Sequence, residues 1–100
     1  MSQNKIFLSQ LNVLTATPTL NFPNLTANGG TASLPVTVTG ATTSDFAMVL
    51  TSNASDLANG VVYDAYVSGA DTVTVVATNT TGGGYTPPSQ TYFVMVFKNS

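Results

Sequence analysis

The chain has no His, Cys, Trp, Arg or Glu, and only 6% of its residues are charged. General acid–base work, metal binding and activated nucleophiles need titratable groups held in pairs or triads. Here Asp45, Asp56, Asp64 and Asp71 lie singly along the chain, and Lys5 and Lys98 sit near opposite termini. This points away from an enzyme and away from any catalytic, cofactor-binding or metal-ligating residue. The absence of Cys excludes a disulfide framework and a thiolate metal site, so stability must come from the core, from assembly, or from both. Two lysines make no phosphate-binding patch, so no nucleic-acid partner is expected. No hydrophobic run approaches the length needed to span a bilayer, so no membrane partner is expected either. The start, Met1-Ser2-Gln3-Asn4-Lys5, lacks a long apolar signal core and reads as a chain made in a cytosol.

What replaces the missing charge is Thr, Ser, Asn and Gly, with Thr at about one position in six. Hydrophobic content is an ordinary 43%, enough for one modest core in a 100-residue domain. A net charge of −2 gives little repulsion between copies and favours association. Asn24, Asn53 and Asn79 each open an N-x-S/T sequon, the number an Asn- and Thr-rich composition produces without selection for glycosylation.

From Leu34 onward the chain alternates with period two, the pattern of strands with one buried face. Leu34, Val36 and Val38 alternate with Pro35, Thr37 and Thr39. Phe46, Met48 and Leu50 alternate with smaller residues. Val61, Tyr63, Ala65 and Val67 lie opposite Val62, Asp64, Tyr66 and Ser68, which places Asp64 and Tyr66 towards water or a partner. Val73, Val75 and Ala77 form another stripe. The last run sets Phe93, Met95 and Phe97 on one face and Tyr92, Val94 and Val96 on the other. With both faces apolar, that strand is expected at the centre of its sheet or beneath a neighbouring subunit.

Turn chemistry separates these runs. Ser68-Gly69-Ala70-Asp71 closes a hairpin, with Asp71 bonding nearby backbone amides. Ser52 to Gly60 has capping residues at its start and glycine at its end, which suits one helical turn. Thr80 to Pro88 is the longest loop, and it admits two readings: a contact surface around Tyr85, or a wide crossover between two sheets. In the first third, Pro18 and Pro23 confine the stretch around Leu20 and Phe22 to an edge strand or an extended arm. The expected fold is all-β: a single small sandwich or barrel of antiparallel strands. Residues 1–30 form an apolar N-terminal arm or edge strand, and residues 31–100 form the sandwich core. The arm either docks on another subunit or folds back on its own sandwich.

Other chemistries fare poorly. An Asp64/Asp71 pair across the hairpin would lack an acid–base partner, an activator and an oxyanion donor set. No D-x-D-x-D calcium spacing exists. Gly82-Gly83-Gly84 lacks the following Lys and helix of a phosphate-binding loop. Tyr63 and Tyr66 point to opposite faces of a strand, so at most one could join a sugar-binding platform.

Gly40-Ala41-Thr42-Thr43-Ser44-Asp45-Phe46 enters a strand. It is followed by Leu57-Ala58-Asn59-Gly60-Val61-Val62-Tyr63-Asp64-Ala65-Tyr66-Val67-Ser68-Gly69-Ala70-Asp71-Thr72-Val73-Thr74-Val75, then Asn79-Thr80-Thr81, Pro87-Pro88 and Thr91-Tyr92-Phe93-Val94-Met95-Val96. Over about 60 residues this resembles a short β domain of tailed-phage virion proteins, found in capsid decoration (cement) proteins and in head-fibre and tail-fibre modules. The chain departs from that pattern at Ser52-Asn53, where the family often has a proline pair, and at Val76, where it often has Arg. The resemblance implies a virion role on the capsid exterior, with the major capsid protein as partner, a homotrimer as the assembly, and no cofactor. A chain this short favours decoration over a fibre with its own shaft. The expected contact residues are Ile6, Phe7, Leu8 and Leu11 in the arm, and Gly82, Gly83, Gly84, Tyr85, Pro87 and Pro88 in the long loop. The alternative is a receptor- or glycan-binding domain of a fibre or tail protein.

Overall fold

A computed structural model describes residues 12–51 and 53–99. Eight strands and one short helix follow in the order β1 (Val13–Ala16), β2 (Thr19–Leu20), β3 (Thr31–Thr37), β4 (Phe46–Leu50), α1 (Ala54–Ala58), β5 (Val61–Gly69), β6 (Thr72–Asn79), β7 (Gln90–Thr91) and β8 (Phe93–Phe97). All pairings are antiparallel. Two three-stranded sheets, β1-β8-β4 and β3-β6-β5, enclose the core, and a two-stranded β2-β7 ribbon accompanies them. The fold is all-β and sandwich-like, as the alternation implies. α1 is too short, and too polar at Ser55 and Asp56, to cross a membrane.

The inner face of β3-β6-β5 follows the alternation closely. Across the sheet, Val36, Val73 and Val67 form one row, and Leu34, Val75 and Ala65 the next. Val73, Val75 and Ala77 have no exposure. The outer rows of this sheet are mixed and largely polar: Thr31-Thr78-Val62, Ser33-Val76-Asp64 and Pro35-Thr74-Tyr66. Asp64 and Tyr66 are exposed, as expected. Pro35 sits in β3, an edge strand, where its missing N–H breaks no ladder.

The β5–β6 hairpin turns at Asp71, whose φ of 60° is left-handed. The Asp71 carboxylate does not bond the amides beside it. It accepts from the Gly40 amide at 2.7 Å, while Asp71 N–H donates to Ala41 O and Val38 N–H donates to Asp71 O, both at 2.9 Å. The hairpin tip is thereby tied to the segment that leads into β4. α1 has its N-cap at Asn53, whose side chain accepts from the Ser55 amide, and ends at Gly60 with φ 76°. A Cβ at Gly60 would overlap the Thr81 methyl group, so this position needs glycine for both conformation and space.

Residues 18–25 fold back on the same sandwich. Leu20, Phe22 and Leu25 are core residues, and Leu25 exchanges two backbone hydrogen bonds with Tyr85 at 2.8 and 3.0 Å. β1 forms an edge of its sheet beside β8. The part of the expected arm that carries Ile6, Phe7, Leu8 and Leu11 lies outside the described residues.

One expectation is reversed. In β4 the large side chains point away from the core: Phe46 is 64% exposed, Met48 41% and Leu50 48%. The smaller Ala47 and Val49 pack inward. The cause is the strand's partner. β8 is central, as its two apolar faces predict, and buries Val94 and Val96, with Tyr92 just before it buried on the same side. Residues directly opposite in an antiparallel pair share a face, so Ala47 opposite Val96 and Val49 opposite Val94 must also face in. Asp45, next to the first residue of β4, holds this register. Its carboxylate bonds Lys98 Nζ (2.7 Å), the Asn99 amide (3.0 Å) and the Thr42 amide (2.8 Å). Lys98 Nζ also donates to Gly40 O at 2.7 Å.

The Lys98 ammonium, helped by the two backbone donors, holds the Asp45 carboxyl well below the usual carboxylate range. A carboxyl depressed by folding stabilises the native state fully above its ordinary value of 3.8 and loses that contribution as pH falls below it. Urea midpoints of the wild-type chain should therefore decline between pH 5 and pH 2.5 more steeply than those of Asp45→Asn. Parallel declines would show that the clamp does not hold this end of the sheet.

Candidate functional site

Two features of the fold carry chemistry: a buried polar knot and an exposed apolar face. The knot centres on Asp56, which the short α1 helix turns fully inward while Leu57 beside it is 74% exposed. A buried carboxyl group needs several donors to replace its hydration. It accepts from Tyr63 Oη at 2.7 Å, Tyr85 Oη at 2.8 Å and Gln90 Nε2 at 2.6 Å. Tyr92 Oη donates to Tyr63 Oη at 2.9 Å and accepts from Gln90 Nε2 at 2.9 Å. The rings of Tyr63, Tyr92 and Phe22 pack edge-on or tilted, with centroids 5.1 to 5.9 Å apart.

This knot joins α1, β5, β7, the residue entering β8, and the long loop. Its chemistry is that of a structural tie. Burial, reinforced by donation to Asp56, pushes the Tyr63 hydroxyl far above its usual value of 10. Burial likewise raises Tyr92, and the bond to Asp56 raises Tyr85. Raised values keep the phenols protonated and donating at neutral pH. Among the described residues, no group of three His, Cys, Asp or Glu side chains is placed to hold a metal ion. Asp64 and Asp71 are not brought together: Asp64 faces Val76, and Asp71 binds Gly40.

The knot was not anticipated from the sequence, although a signal was present. Tyr63 and Tyr92 share the parity of inward stripes, and a buried tyrosine hydroxyl requires a polar partner. Asn79 behaves similarly. It is fully buried, donates to Leu25 O and Gly83 O, and accepts from the Thr81 amide and hydroxyl. Its amide is therefore closed to glycosylation in the folded domain.

The long loop divides the residues expected to make contacts. Gly82, Gly83, Gly84 and Pro88 are exposed, whereas Tyr85 is half-buried with its hydroxyl on Asp56, and Pro87 is buried. The loop carries the chain from β6 in one sheet to β7 and β8 beyond it, so of its two readings the crossover describes its course.

The exposed face is the outer side of β1-β8-β4. Its rows read Phe46-Phe97-Val13, Met48-Met95-Thr15 and Leu50-Phe93. Phe93 and Phe97 are each 37% exposed, alongside Phe46, Met48 and Leu50. Thr15 is the one polar side chain in the three rows. Beside Leu50 the apolar surface continues into a shallow groove lined by Val49, Ala54, Leu57, Val61 and Val62. Single exposed apolar residues are ordinary, whereas a contiguous apolar face is a candidate interaction surface. No family model matches the chain, and neither curated proteins nor solved structures give a match.

Tyr63→Phe removes one donor from the buried Asp56 carboxyl, and the expected loss is about 1–3 kcal/mol of unfolding free energy, read from urea denaturation. Phenols raised by folding stabilise the native state below their usual value of 10, so wild-type stability should fall as pH rises above 10. A Tyr63→Phe variant as stable as wild type at pH 7 would mean that the knot is dispensable.

Proposed function

We propose that this chain is a non-catalytic virion protein of the capsid-decoration class. It self-associates as a homotrimer, attaches to the exterior of an assembled shell of major capsid protein, and reinforces that shell. The observation that carries the reading is the inverted sheet: a domain with only six charged residues among 100 turns three rows of Phe, Met and Leu outward. Such a face favours association by apolar burial, and the low net charge leaves little repulsion to oppose it. The resemblance of residues 40–96 to phage virion β domains supplies the partner and the setting. Many copies on a lattice add stability even when each contact is weak.

A glycan-binding role has less support. Three of the four tyrosine hydroxyls are committed to the interior knot, and Tyr66 alone does not make an aromatic platform.

Native mass spectrometry should give a species near 31 kDa, three times 10.3 kDa. Cosedimentation with shells of the associated major capsid protein should saturate and raise the shells' heat resistance. The double variant Phe46→Asp/Met48→Asp should keep its β circular dichroism and lose trimer mass. A monomer that does not sediment with shells would contradict the reading.

A further inference from the structure

We propose that Phe46 of one copy seats in the apolar groove beside Leu57 of the next, so that the outer faces of β1-β8-β4 close head to tail into a ring. This inference rests on the self-association part of the reading above and names the two surfaces that meet.

Phe46 opens β4 and, at 64%, is the most exposed aromatic side chain among the described residues. It stands out at one end of the face. The groove lies at the other end of the same strand, where Val49 and Leu50 of β4, Leu57 of α1, and Val61 and Val62 of β5 surround a hollow of about 480 Å3. Clefts of this size take a ligand-sized apolar group. Polar lining comes from Thr51, Asn53 and Tyr63, and no charged side chain lines the hollow, so an aromatic ring enters without stripping water from an ion.

A copy cannot fill this groove with its own Phe46. The strand between Phe46 and Leu50 spans about 14 Å, and pairing of Phe46 with Phe97 and of Leu50 with Phe93 holds the two ends apart. A second copy brings the same protruding ring to the same apolar hollow. The charged groups beside the Phe46-Phe97 pair, Asp45 and Lys98, neutralise each other in an ion pair, so no net charge follows the ring into the contact.

Taking about 200 Å2 as the full surface of each large side chain, the exposed fractions of Phe46, Met48, Leu50, Leu57, Phe93 and Phe97 amount to roughly 600 Å2 of apolar surface. Interfaces are about 60% apolar, so covering this face with its polar surroundings corresponds to roughly 1,000 Å2 of total surface per copy. In a ring each copy divides that area between two neighbours. Each contact, counting both sides, then removes roughly 1,000 Å2, the size a specific interface needs. Ring and groove are unlike patches of one surface, and heterologous contacts of this kind close into rings when the rotation permits.

Full-length protein with the photoreactive analogue p-benzoylphenylalanine in place of Phe46 keeps an aromatic group at the contact. Irradiation should attach it to residues 49–62 of another copy and give covalent products of two and three copies on a denaturing gel. Leu57→Asp, at a side chain 74% exposed in the single chain, sets an unpaired carboxylate in the groove and should weaken association about tenfold or more with unchanged β circular dichroism. Products that stop at two copies would overturn the ring in favour of a reciprocal two-fold pairing. Adducts outside residues 49–62, no link between copies, or full association of Leu57→Asp would overturn the contact itself. A wild-type mass of three copies without the adduct discards this contact and leaves the homotrimer standing, whereas crosslinked trimers that ignore capsid shells discard decoration and leave the contact.

Discussion

The register between β4 and β8 decides what this molecule presents to its surroundings. Phe46 opposes Phe97 and Val49 opposes Val94, and a slip of one residue would exchange every inward and outward side chain of β4. The register is anchored beside its first pair, where Asp45 gathers Lys98, Asn99 and Thr42. With one ion pair among the described residues, the fold places it where strand parity must be held. Small side chains fill the inside of this sheet, and Phe, Met and Leu are left outside.

The interior is consistent with that choice. Between the sheets lie Val36, Val61, Val67, Val73, Val75, Val94 and Val96 with small alanines. Bulk is concentrated where Phe22, Tyr63 and Tyr92 stack. The two tyrosine hydroxyls need partners: Tyr92 donates to Tyr63, and Tyr63 donates to the Asp56 that the short helix delivers. A half-satisfied knot would be worse than an apolar one, and here no buried side-chain polar atom among the described residues lacks a partner. The same knot holds Tyr85, so the long loop is pinned at its centre while its glycines stay at the surface.

Much of the fold was legible in the sequence because it rests on local patterns. The stripe Val61, Tyr63, Ala65, Val67, the hairpin at Ser68 to Asp71, the single turn after Asn53 and the central position of the last strand follow from alternation and turn chemistry. Phe46, Met48 and Leu50 misled because hydrophobic size within one strand cannot reveal which face its partner buries. That depends on Val94 and Val96, almost 50 residues away. Asp71 was recognised as a turn residue, but its acceptor role towards Gly40 is a tertiary contact that spacing does not encode. The exposed face itself was half visible: two apolar faces on the last strand imply either a covered centre or a neighbouring subunit, and the fold shows a central strand with its second face still open.

A weakly charged domain with a largely polar outer sheet on one side and an apolar one on the other presents one face suited to burial, and the account proposed above has association bury it. The most direct test of that account is the rate at which peroxide oxidises Met48 in the native protein, compared with the chain dissociated by dilution. Met48 is 41% exposed in the single chain, and thioether oxidation follows exposure. Slow oxidation at high concentration that rises about several-fold on dilution, as expected when association buries the site, is the predicted result. A concentration-independent rate equal to that of a free methionine peptide would show that the face stays bare, and would contradict the account.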